Sequence, residues 1–184
     1  MHLEYQVTPE EFKDCNYYTS WSSPEKRNAR IKYYIINLAL YLFSVTVIVL
    51  IGKKPLRLSG IIIFALFAIL TFIYLKWRVR RQIDRYVDQV IKESGEDRIF
   101  SRVELDITER GIHERSKDSE TSYQWSAILK RVEANNCCYL YLNSRLVIVI
   151  PKRVFNSTQQ KEEFDKMMLQ YLPLSADLPQ VFNK

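Results

Sequence analysis

Two long apolar runs joined by a short polar turn constrain the fold of this 184-residue chain more than any other feature. The runs cover residues 33–51 and 58–75, and neither contains a charged residue. An α-helix rises about 1.5 Å per residue, so roughly 20 residues cross a hydrocarbon core of about 30 Å. The sequence therefore predicts a transmembrane hairpin over residues 24–77, with its turn at 52–57.

Lysine and arginine residues at the ends of the runs predict the orientation of this hairpin. Basic residues are concentrated before the first run and after the second, and fewer lie in the turn. They are Lys26, Arg27, Arg30 and Lys32 before the hairpin, Lys76, Arg78, Arg80, Arg81 and Arg85 after it, and Lys53, Lys54 and Arg57 in the turn. Because basic residues stay on the cytoplasmic side, we expect a two-span protein of the cell membrane with both termini in the cytoplasm.

The side chains of the hairpin give further expectations. Tyr33, Tyr34, Tyr74 and Trp77 are placed to form an aromatic belt at the cytoplasmic interface. Neither span contains an ionisable residue other than tyrosine, which argues against a transport path. Asn37 is the most polar residue within the spans, and we expect it to hydrogen-bond from one helix to the other.

Residues 1–23 are predicted to form a strand and a short helix that belong to the cytoplasmic domain. Residues 1–7 alternate apolar and polar side chains, as in a half-buried strand. Thr8, Pro9 and Glu11 have the spacing of a capping box with proline at the first helical position, so we expect a helix over 9–18. An isolated strand is unstable in water, and the strand must therefore pair with the later sheet. The hairpin is then an insertion within the domain.

The C-terminal part predicts an α+β cytoplasmic domain. A juxtamembrane helix is expected over 78–95, followed at 100–173 by a meander of six short antiparallel strands closed by a helix that stops at Pro173, and by a tail at 174–184. The N-terminal strand makes seven. A bent antiparallel sheet closed by a C-terminal helix is the plan of the pleckstrin-homology-like fold, although a fold alone does not define a function.

Three short segments carry a family resemblance. They are Tyr-Gln-Trp-Ser-Ala-Ile at 123–128, Tyr-Leu-Tyr-Leu at 139–142 and Val-Ile-Pro-Lys-Arg-Val-Phe at 149–155. With the Thr-Pro-Glu-Glu-Phe helix start at 8–12 and the two-span hairpin, they resemble the YcxB-like family of small bacterial membrane proteins. The resemblance implies a bacterial cell membrane and a cytoplasmic domain, and it implies no established catalytic activity. Within these motifs we interpret Trp125, Ile128, Pro151 and Phe155 as structural.

The sequence predicts no catalytic, cofactor-binding or metal site. The four glycines are too dispersed for a phosphate-binding loop. Cys15, Cys137 and Cys138 lack zinc-ligand spacing, and His2 and His113 lie far apart in the sequence. The sequence has no basic stripe with interleaved aromatic residues, and we therefore expect no nucleic-acid partner. The best candidate contact is the pair Lys152 and Arg153, which could meet lipid headgroups or a protein.

Three functions are consistent with these observations. The first is a non-enzymatic membrane protein whose cytoplasmic domain binds anionic lipid or a protein, which is either an unknown partner or a second copy, in a regulatory or scaffolding role. The second is an immunity protein that protects against a secreted or membrane-acting toxin. The third is a membrane-associated enzyme, for which the residues to test are Asp106, His113, Glu133 and Cys138.

Overall fold

A computed structural model describes residues 1–52, 58–134, 136–143 and 146–172. The chain divides into two compact units, one of residues 20–86 and the other of residues 1–19 together with the residues from 87 onward. Several sequence predictions lie outside the described residues. They concern the turn residues 53–57, Asn135, Ser144, Arg145, Pro173 and the tail at 174–184.

The hairpin unit is built from two long helices. A 3₁₀ turn at Pro24–Lys26 leads into α2 at Arg27–Gly52, and α3 runs without interruption over Leu58–Ser94. By length and composition both helices can cross a membrane. The predicted continuation of the second helix to Ser94 is confirmed, and Gly95 follows it with a φ of +84°.

Polar side chains within the two helices bond mostly to their own backbone. The amide of Asn37 donates to the Tyr33 carbonyl oxygen at 2.8 Å, so the predicted helix-to-helix bond from Asn37 is wrong. An asparagine side chain can reach the carbonyl oxygen four residues earlier in its own helix, so this hydrogen bond needs no second helix. The bond between the helices comes instead from Tyr41, whose hydroxyl donates to the Phe64 carbonyl oxygen at 2.5 Å.

Sheet 1 of the second unit combines the N-terminal strand with the first part of the later domain. It contains β1 (His2–Gln6), β2 (Arg102–Thr108), β3 (Gly111–Ser116) and β4 (Glu120–Gln124), all antiparallel and in that order. The inferred pairing of the N-terminal strand is present, because His2 lies opposite Asp106 and Gln6 opposite Arg102. A four-residue helix, α4 (Glu96–Ile99), precedes β2.

Sheet 2 consists of β5 (Lys130–Glu133), β6 (Cys137–Tyr141) and β7 (Val147–Pro151). One face joins sheet 1 and the C-terminal helix α5 (Thr158–Tyr171) in a shared core that includes Leu105, Leu140 and Phe164. The other face, with Cys137 and Tyr139, packs with Cys15 of α1 (Pro9–Tyr17). Both faces are covered, which explains the continuous apolar run of β7.

The division into two sheets differs from the single meander that the sequence predicted. A 3₁₀ turn at Trp125–Ala127 separates β4 from β5, and the sheet order changes there. The sequence predicts a tight connection over residues 125–128, with Trp125 also at the end of the preceding strand, and the structure confirms this connection. The alternation of side chains defines the face on which each residue lies, but it does not define which strand is the neighbour.

Candidate functional site

The predicted contact residues Lys152 and Arg153 lie in a 3₁₀ turn at Lys152–Val154, directly after β7. Arg153 is bound within the domain. Its Nε and Nη2 atoms donate to the two carboxylate oxygens of Glu11 at 2.8 and 3.0 Å, and Nη2 also donates to the Gln6 carbonyl oxygen at 2.6 Å. This fork joins the C-terminal turn to both β1 and α1. Lys152 is looser, with its ammonium 3.8 Å from Glu133.

Glu11 is the centre of this connection. It completes the predicted capping box, because the Thr8 backbone N–H donates to its carboxylate at 2.9 Å and the Glu11 N–H donates to the Thr8 hydroxyl at 3.2 Å. Partial burial would raise the pKa of the carboxyl. The hydrogen bonds from Arg153 and Thr8 outweigh that effect, and the pKa of Glu11 is lowered.

The family-motif residues lie in or against the core. The Trp125 indole N–H is shared between the carbonyl oxygens of Thr108 and Glu109 at 3.1 and 3.2 Å, and its ring stacks on Tyr171 at 4.8 Å. Ile128 and Pro151 are buried. Phe155 contacts Phe164 of α5 with ring centroids 5.0 Å apart.

Next to Arg153 lie two adjoining open cavities, which together we call the polar groove. The first, of about 480 Å³, is lined by residues 6–9, Glu96, Asp97, Phe100 and Arg153. The second, of about 580 Å³, is lined by Gln6, Asp97, residues 100–102, Glu104 and residues 115–117. Gln6, Asp97 and Phe100 line both, so the two cavities are adjacent. Volumes of this order are typical of ligand pockets.

The arginines of the polar groove are paired with carboxylates. Arg102 forms an ion pair with Glu4, and the hydrogen bond between them lowers the pKa of Glu4. Arg115 contacts Glu120 at 3.0 Å and Glu104 at 3.8 Å. Asp97 and Lys117 add one charge of each sign. The groove therefore offers alternating charges rather than a uniformly positive surface.

Sequence reasoning did not find this groove, although one signal for it was present. The predicted β2–β3 hairpin places Arg102 near residues 115–117, because antiparallel neighbours bring the start of one strand to the end of the next. The contributions of Gln6 and Arg153 depend on contacts between distant parts of the chain. Such contacts have no local pattern in a sequence.

The residues proposed for an enzyme do not form one group. Cys138 of β6 is buried in the core shared by the two sheets, and burial raises the pKa of its thiol to about 11. Glu133 is an ion-pair partner of Arg131. Asp106 and His113, in contrast, are directly opposite each other in sheet 1.

Asp106 and His113 belong to what we call the histidine row, which consists of His2, Asp106, His113 and Ser122. These residues occupy facing positions on β1, β2, β3 and β4. His2 Nδ1 lies 2.7 Å from Asp106 Oδ1, and His113 Nδ1 lies 2.7 Å from the Ser122 hydroxyl. Among the described residues, no three histidine, cysteine or carboxylate side chains already converge on one point.

The cysteines are buried thiols. Cys137 and Cys138 face opposite sides of sheet 2, as their neighbouring positions predict. Burial raises the pKa of Cys15 to about 12 and that of Cys137 to about 11. A thiol must lose its proton to act as a nucleophile or a metal ligand, so these environments disfavour both uses.

Comparison with known proteins supports the resemblance seen in the motifs. Residues 107–168 match the model of the family described as YcxB-like protein. The chain carries a YcxB-like domain. The match begins in β2 and ends in α5, so it includes the three motif segments and leaves out β1, α1 and the hairpin. Searches of curated proteins and of solved structures gave no match.

Proposed function

We propose that this chain is a non-enzymatic integral membrane protein whose cytoplasmic YcxB-like domain binds a protein partner through the polar groove. The hairpin is the membrane anchor in this proposal, and both termini are cytoplasmic. The role is that of a scaffold or regulator held at the membrane.

The exposure of the hairpin side chains supports the membrane anchor. None of the most apolar window of α2 and only 6% of that of α3 is buried inside the protein. A core helix of a soluble protein would bury such a surface, whereas a bilayer would cover it. The excess of basic residues at the ends of the hairpin supports the cytoplasmic position of the termini.

Aromatic contacts at the start of the hairpin unit support the same orientation. The Trp21 ring lies edge-on to Tyr33 and Tyr34, with centroids 5.3 and 6.1 Å apart, and Tyr34 stacks on Phe72 at 5.6 Å. The guanidinium of Arg81 lies 4.7 Å from the centre of the Trp77 ring. Aromatic rings next to basic side chains are typical of the cytoplasmic interface of a membrane protein.

The arrangement of the strands supports a pleckstrin-homology-like fold for the cytoplasmic domain. Four antiparallel strands, three further strands and a C-terminal helix surround one shared core. The strand order within each sheet follows the chain order. This proposal concerns the fold alone, and the function rests on the groove.

The paired charges of the polar groove favour a protein segment as its ligand. A bare phosphate would have to approach Arg102 and Arg115 beside the carboxylates of Glu4 and Glu120. A peptide that carries both charges can exchange ion pairs with the groove without leaving a buried charge unpaired. This charge pattern is the observation that carries the proposal.

Cysteine labelling tests the topology. The native Cys15, Cys137 and Cys138 are at most 5% exposed, so background labelling should be low. We expect a membrane-impermeant maleimide to modify Lys54→Cys in intact cells and Lys117→Cys only after the membrane is permeabilised. Labelling of Lys117→Cys in intact cells would overturn the proposed orientation.

Site-specific crosslinking tests the groove. We would place a photo-crosslinking amino acid at Lys117, and, as a control, at the exposed Glu162 of α5 in the full-length protein in cells. We expect one discrete protein adduct at position 117 that is absent at 162. Arg115→Glu combined with Arg102→Glu should abolish that adduct, because both cations are then replaced by carboxylates that repel the neighbouring Glu4 and Glu120 and can no longer bind acidic groups of the partner.

Two results would contradict the proposed partner. Identical adducts at positions 117 and 162 would mean that the groove has no selective ligand. Adducts with lipid alone at position 117 would mean that the groove binds an anionic membrane surface and not a protein.

A further inference from the structure

Three arginines form an exposed row on α3, directly after its apolar part. Arg78, Arg81 and Arg85 lie three and four positions apart, so they share one face of the helix. All three are exposed, and among the residues that the structure describes none of the three has a carboxylate partner. The ion pair at this level of the helix joins Arg80 to Asp84 instead. These three residues, which we call the arginine row, therefore present positive charge that the protein itself does not neutralise.

Two aromatic side chains connect the arginine row to the apolar part of α3. Tyr74 and Trp77 are 53% and 52% exposed, and their ring centroids lie 6.0 Å apart. The guanidinium of Arg81 lies 4.7 Å from the centre of the Trp77 ring, which is four residues earlier in the helix. Arg81 therefore leans back toward the apolar part, because helical side chains lean toward the N-terminus of their helix. Tryptophan is enriched at the level of the lipid headgroups, and this direction brings the guanidinium to that level.

The same face of α3 also offers an apolar surface to an acyl chain. Phe67 and Leu70 are both 60% exposed, and they lie at helical spacing from Tyr74. In a bilayer such side chains contact lipid tails, which are as apolar as leucine. A phospholipid whose phosphate lies at the arginine row has its acyl chains beside these residues, so one molecule meets both parts of the face.

The charge pattern of the arginine row differs from that of the polar groove. The groove arginines are held by carboxylates, as in the pairs of Arg102 with Glu4 and of Arg115 with Glu120. Residues 76–85 instead contain five basic side chains and one acidic side chain, Asp84. A surface of unpaired cations favours a ligand that carries negative charge alone. At the cytoplasmic end of a transmembrane helix, the anions present at high density are the headgroups of anionic lipids.

We infer that the arginine row binds the phosphate headgroup of one anionic phospholipid. This inference rests on the membrane anchor of the proposed function. Arg78 and Arg81 are separated by about 4.5 Å along the helix axis, so one phosphate can accept hydrogen bonds from both guanidinium groups. Arg85 lies about 10 Å beyond Arg78, which is close to the Debye length at physiological salt, and it adds long-range attraction.

Arginine contributes more to this site than its charge. The orientation of a membrane helix depends only on positive charge, which lysine supplies equally well. The binding of a phosphate gains from the planar guanidinium, which donates two parallel N–H bonds, whereas the lysine ammonium acts as a point charge. Replacement of arginine by lysine in the row therefore keeps the topology and the net charge and weakens the binding of the headgroup alone.

Lipid retention by the full-length protein tests the site. The protein is reconstituted into nanodiscs that contain equal amounts of phosphatidylglycerol and phosphatidylcholine, and native mass spectrometry after release into mild detergent counts the lipids that stay bound. We expect one phosphatidylglycerol per chain and no retained phosphatidylcholine. Arg78→Lys combined with Arg81→Lys should lower the retention of phosphatidylglycerol by about tenfold, as expected for the loss of one strong hydrogen bond.

Arg27→Lys is the matched control. Arg27 is exposed at the start of α2, shortly before the other apolar run. Helical side chains lean toward the N-terminus of their helix, which for α2 is the direction away from that run, so Arg27 is not placed to reach the headgroups. This variant should retain phosphatidylglycerol as the wild type does. Inorganic phosphate added during release should displace no lipid, because it lacks the acyl chains that pack on Phe67 and Leu70.

Three outcomes would overturn the inference. The first is equal retention of the two lipids by the wild-type protein. The second is unchanged retention in the double lysine variant, or an equal loss in Arg27→Lys, either of which would indicate a diffuse attraction by charge. The third is displacement of the lipid by inorganic phosphate, which would make the row a phosphate site independent of the membrane. Failure of the protein to enter nanodiscs would contradict the membrane anchor as well, whereas entry without selective retention rejects the lipid site alone.

Discussion

Gly111, at the start of β3, has a φ of +148°, and a Cβ there would lie 2.1 Å from the Tyr123 carbonyl oxygen. We expect Gly111→Ala to lower the free energy of unfolding by at least about 2 kcal/mol, because the clash is with backbone that cannot move aside. Hydrogen exchange of β6 amides in the full-length protein measures this loss.

Gly95 provides the matched control for that substitution. Its φ is +84°, and a Cβ there would meet nothing within 4 Å. Gly95→Ala should therefore cost only the backbone strain, of about 1–3 kcal/mol, and less than Gly111→Ala, which adds the clash to its own strain. Equal losses in the two variants would mean that the close approach between β3 and β4 is not what requires glycine at 111.

Glu11 gives the domain a defined dependence on pH. Because the pKa of Glu11 is lowered in the folded state, its charged carboxylate stabilises the fold fully at pH values above the unfolded pKa of about 4.3. This stabilisation is lost as the pH falls through the lower pKa of the folded state. Glu11→Gln should be less stable than the wild type by about 1–2 kcal/mol at pH 7, and the difference should shrink toward pH 3. Thermal unfolding across this pH range measures it.

The neighbouring Glu10 is the control for this effect, since it is exposed on the first turn of the same helix. Glu10→Gln should unfold as the wild type does at both pH values. A stability difference for Glu11→Gln that is the same at pH 7 and pH 3 would contradict the role of the charged carboxylate.

At the residue scale, local contacts could be predicted and distant ones could not. The Thr8–Glu11 capping box follows from a spacing of three residues, and the structure confirms it. Arg153, the other partner of Glu11, lies 142 positions away. The meeting of His2 with Asp106 likewise depends on the pairing of β1 with β2. The sequence indicates that β1 must pair, but it does not define the opposite residue.

At the scale of the elements, the helices and the strands of the domain follow from the periodicity of apolar side chains. The alternation at 102–108 predicted β2, and the two-sided apolar run at 146–150 predicted a covered strand, as β7 is. The separation into two sheets depends on the turn at Trp125–Ala127. The sequence predicts a connection at this turn, but no residue in it indicates that the chain passes there from one sheet to another.

The docking of α5 depends on a buried arginine. The Arg131 side chain is 3% exposed, binds Glu133 and Asp165, and lies 5.6 Å from the centre of the Phe164 ring. We expect Arg131→Ala to lower the free energy of unfolding by about 2–3 kcal/mol, because it removes a buried side chain and its charge-assisted hydrogen bonds to Glu133 and Asp165. Hydrogen exchange of the α5 amides should report the loss directly.

A double variant separates the charge from the packing at this position. Arg131→Met with Asp165→Leu removes the cation and the carboxylate of α5 and keeps most of the volume, and such replacements are often neutral or stabilising. The remaining Glu133 is 41% exposed and also lies 3.8 Å from Lys152. We expect the double variant to recover most of the stability that Arg131→Ala loses. If it unfolds as easily as Arg131→Ala, the ion pair itself rather than the packing of the buried side chain holds α5 in place.

At the scale of the whole molecule, the hairpin interrupts a domain rather than preceding it. Residues 1–19 lie in the same compact unit as the residues from 87 onward. Both ends of the hairpin are consequently joined to elements of one fold, β1 and α1 on one side and the end of α3 on the other. The Lys13 ammonium contacts the Asp88 carboxylate at 2.7 Å, which ties these two segments to each other.

This insertion predicts that residues 100–172, which include the segment matched by the YcxB-like family, cannot fold alone. Without β1, strand β2 loses one of its two antiparallel partners and becomes an edge strand, and the buried Leu3 and Tyr5 no longer cover the core. Without α1, the face of sheet 2 that holds Cys137 and Tyr139 is exposed to water. Exposed apolar faces and unpaired strand edges cause aggregation.

Two soluble fragments test this prediction. Residues 100–172 alone should show no cooperative thermal transition, whereas residues 1–19 joined by a flexible glycine–serine linker to residues 87–172 should unfold cooperatively and give dispersed amide resonances. The second fragment keeps the Arg153–Glu11 contact, so Glu11→Gln should destabilise it as in the full chain. Cooperative unfolding of residues 100–172 at the same temperature would mean that the N-terminal segment does not contribute to the stability of the domain. Cooperative unfolding of the joined fragment alone would mean that the N-terminal strand and helix are an integral part of the fold, and that the hairpin is an insertion in the sequence of this domain.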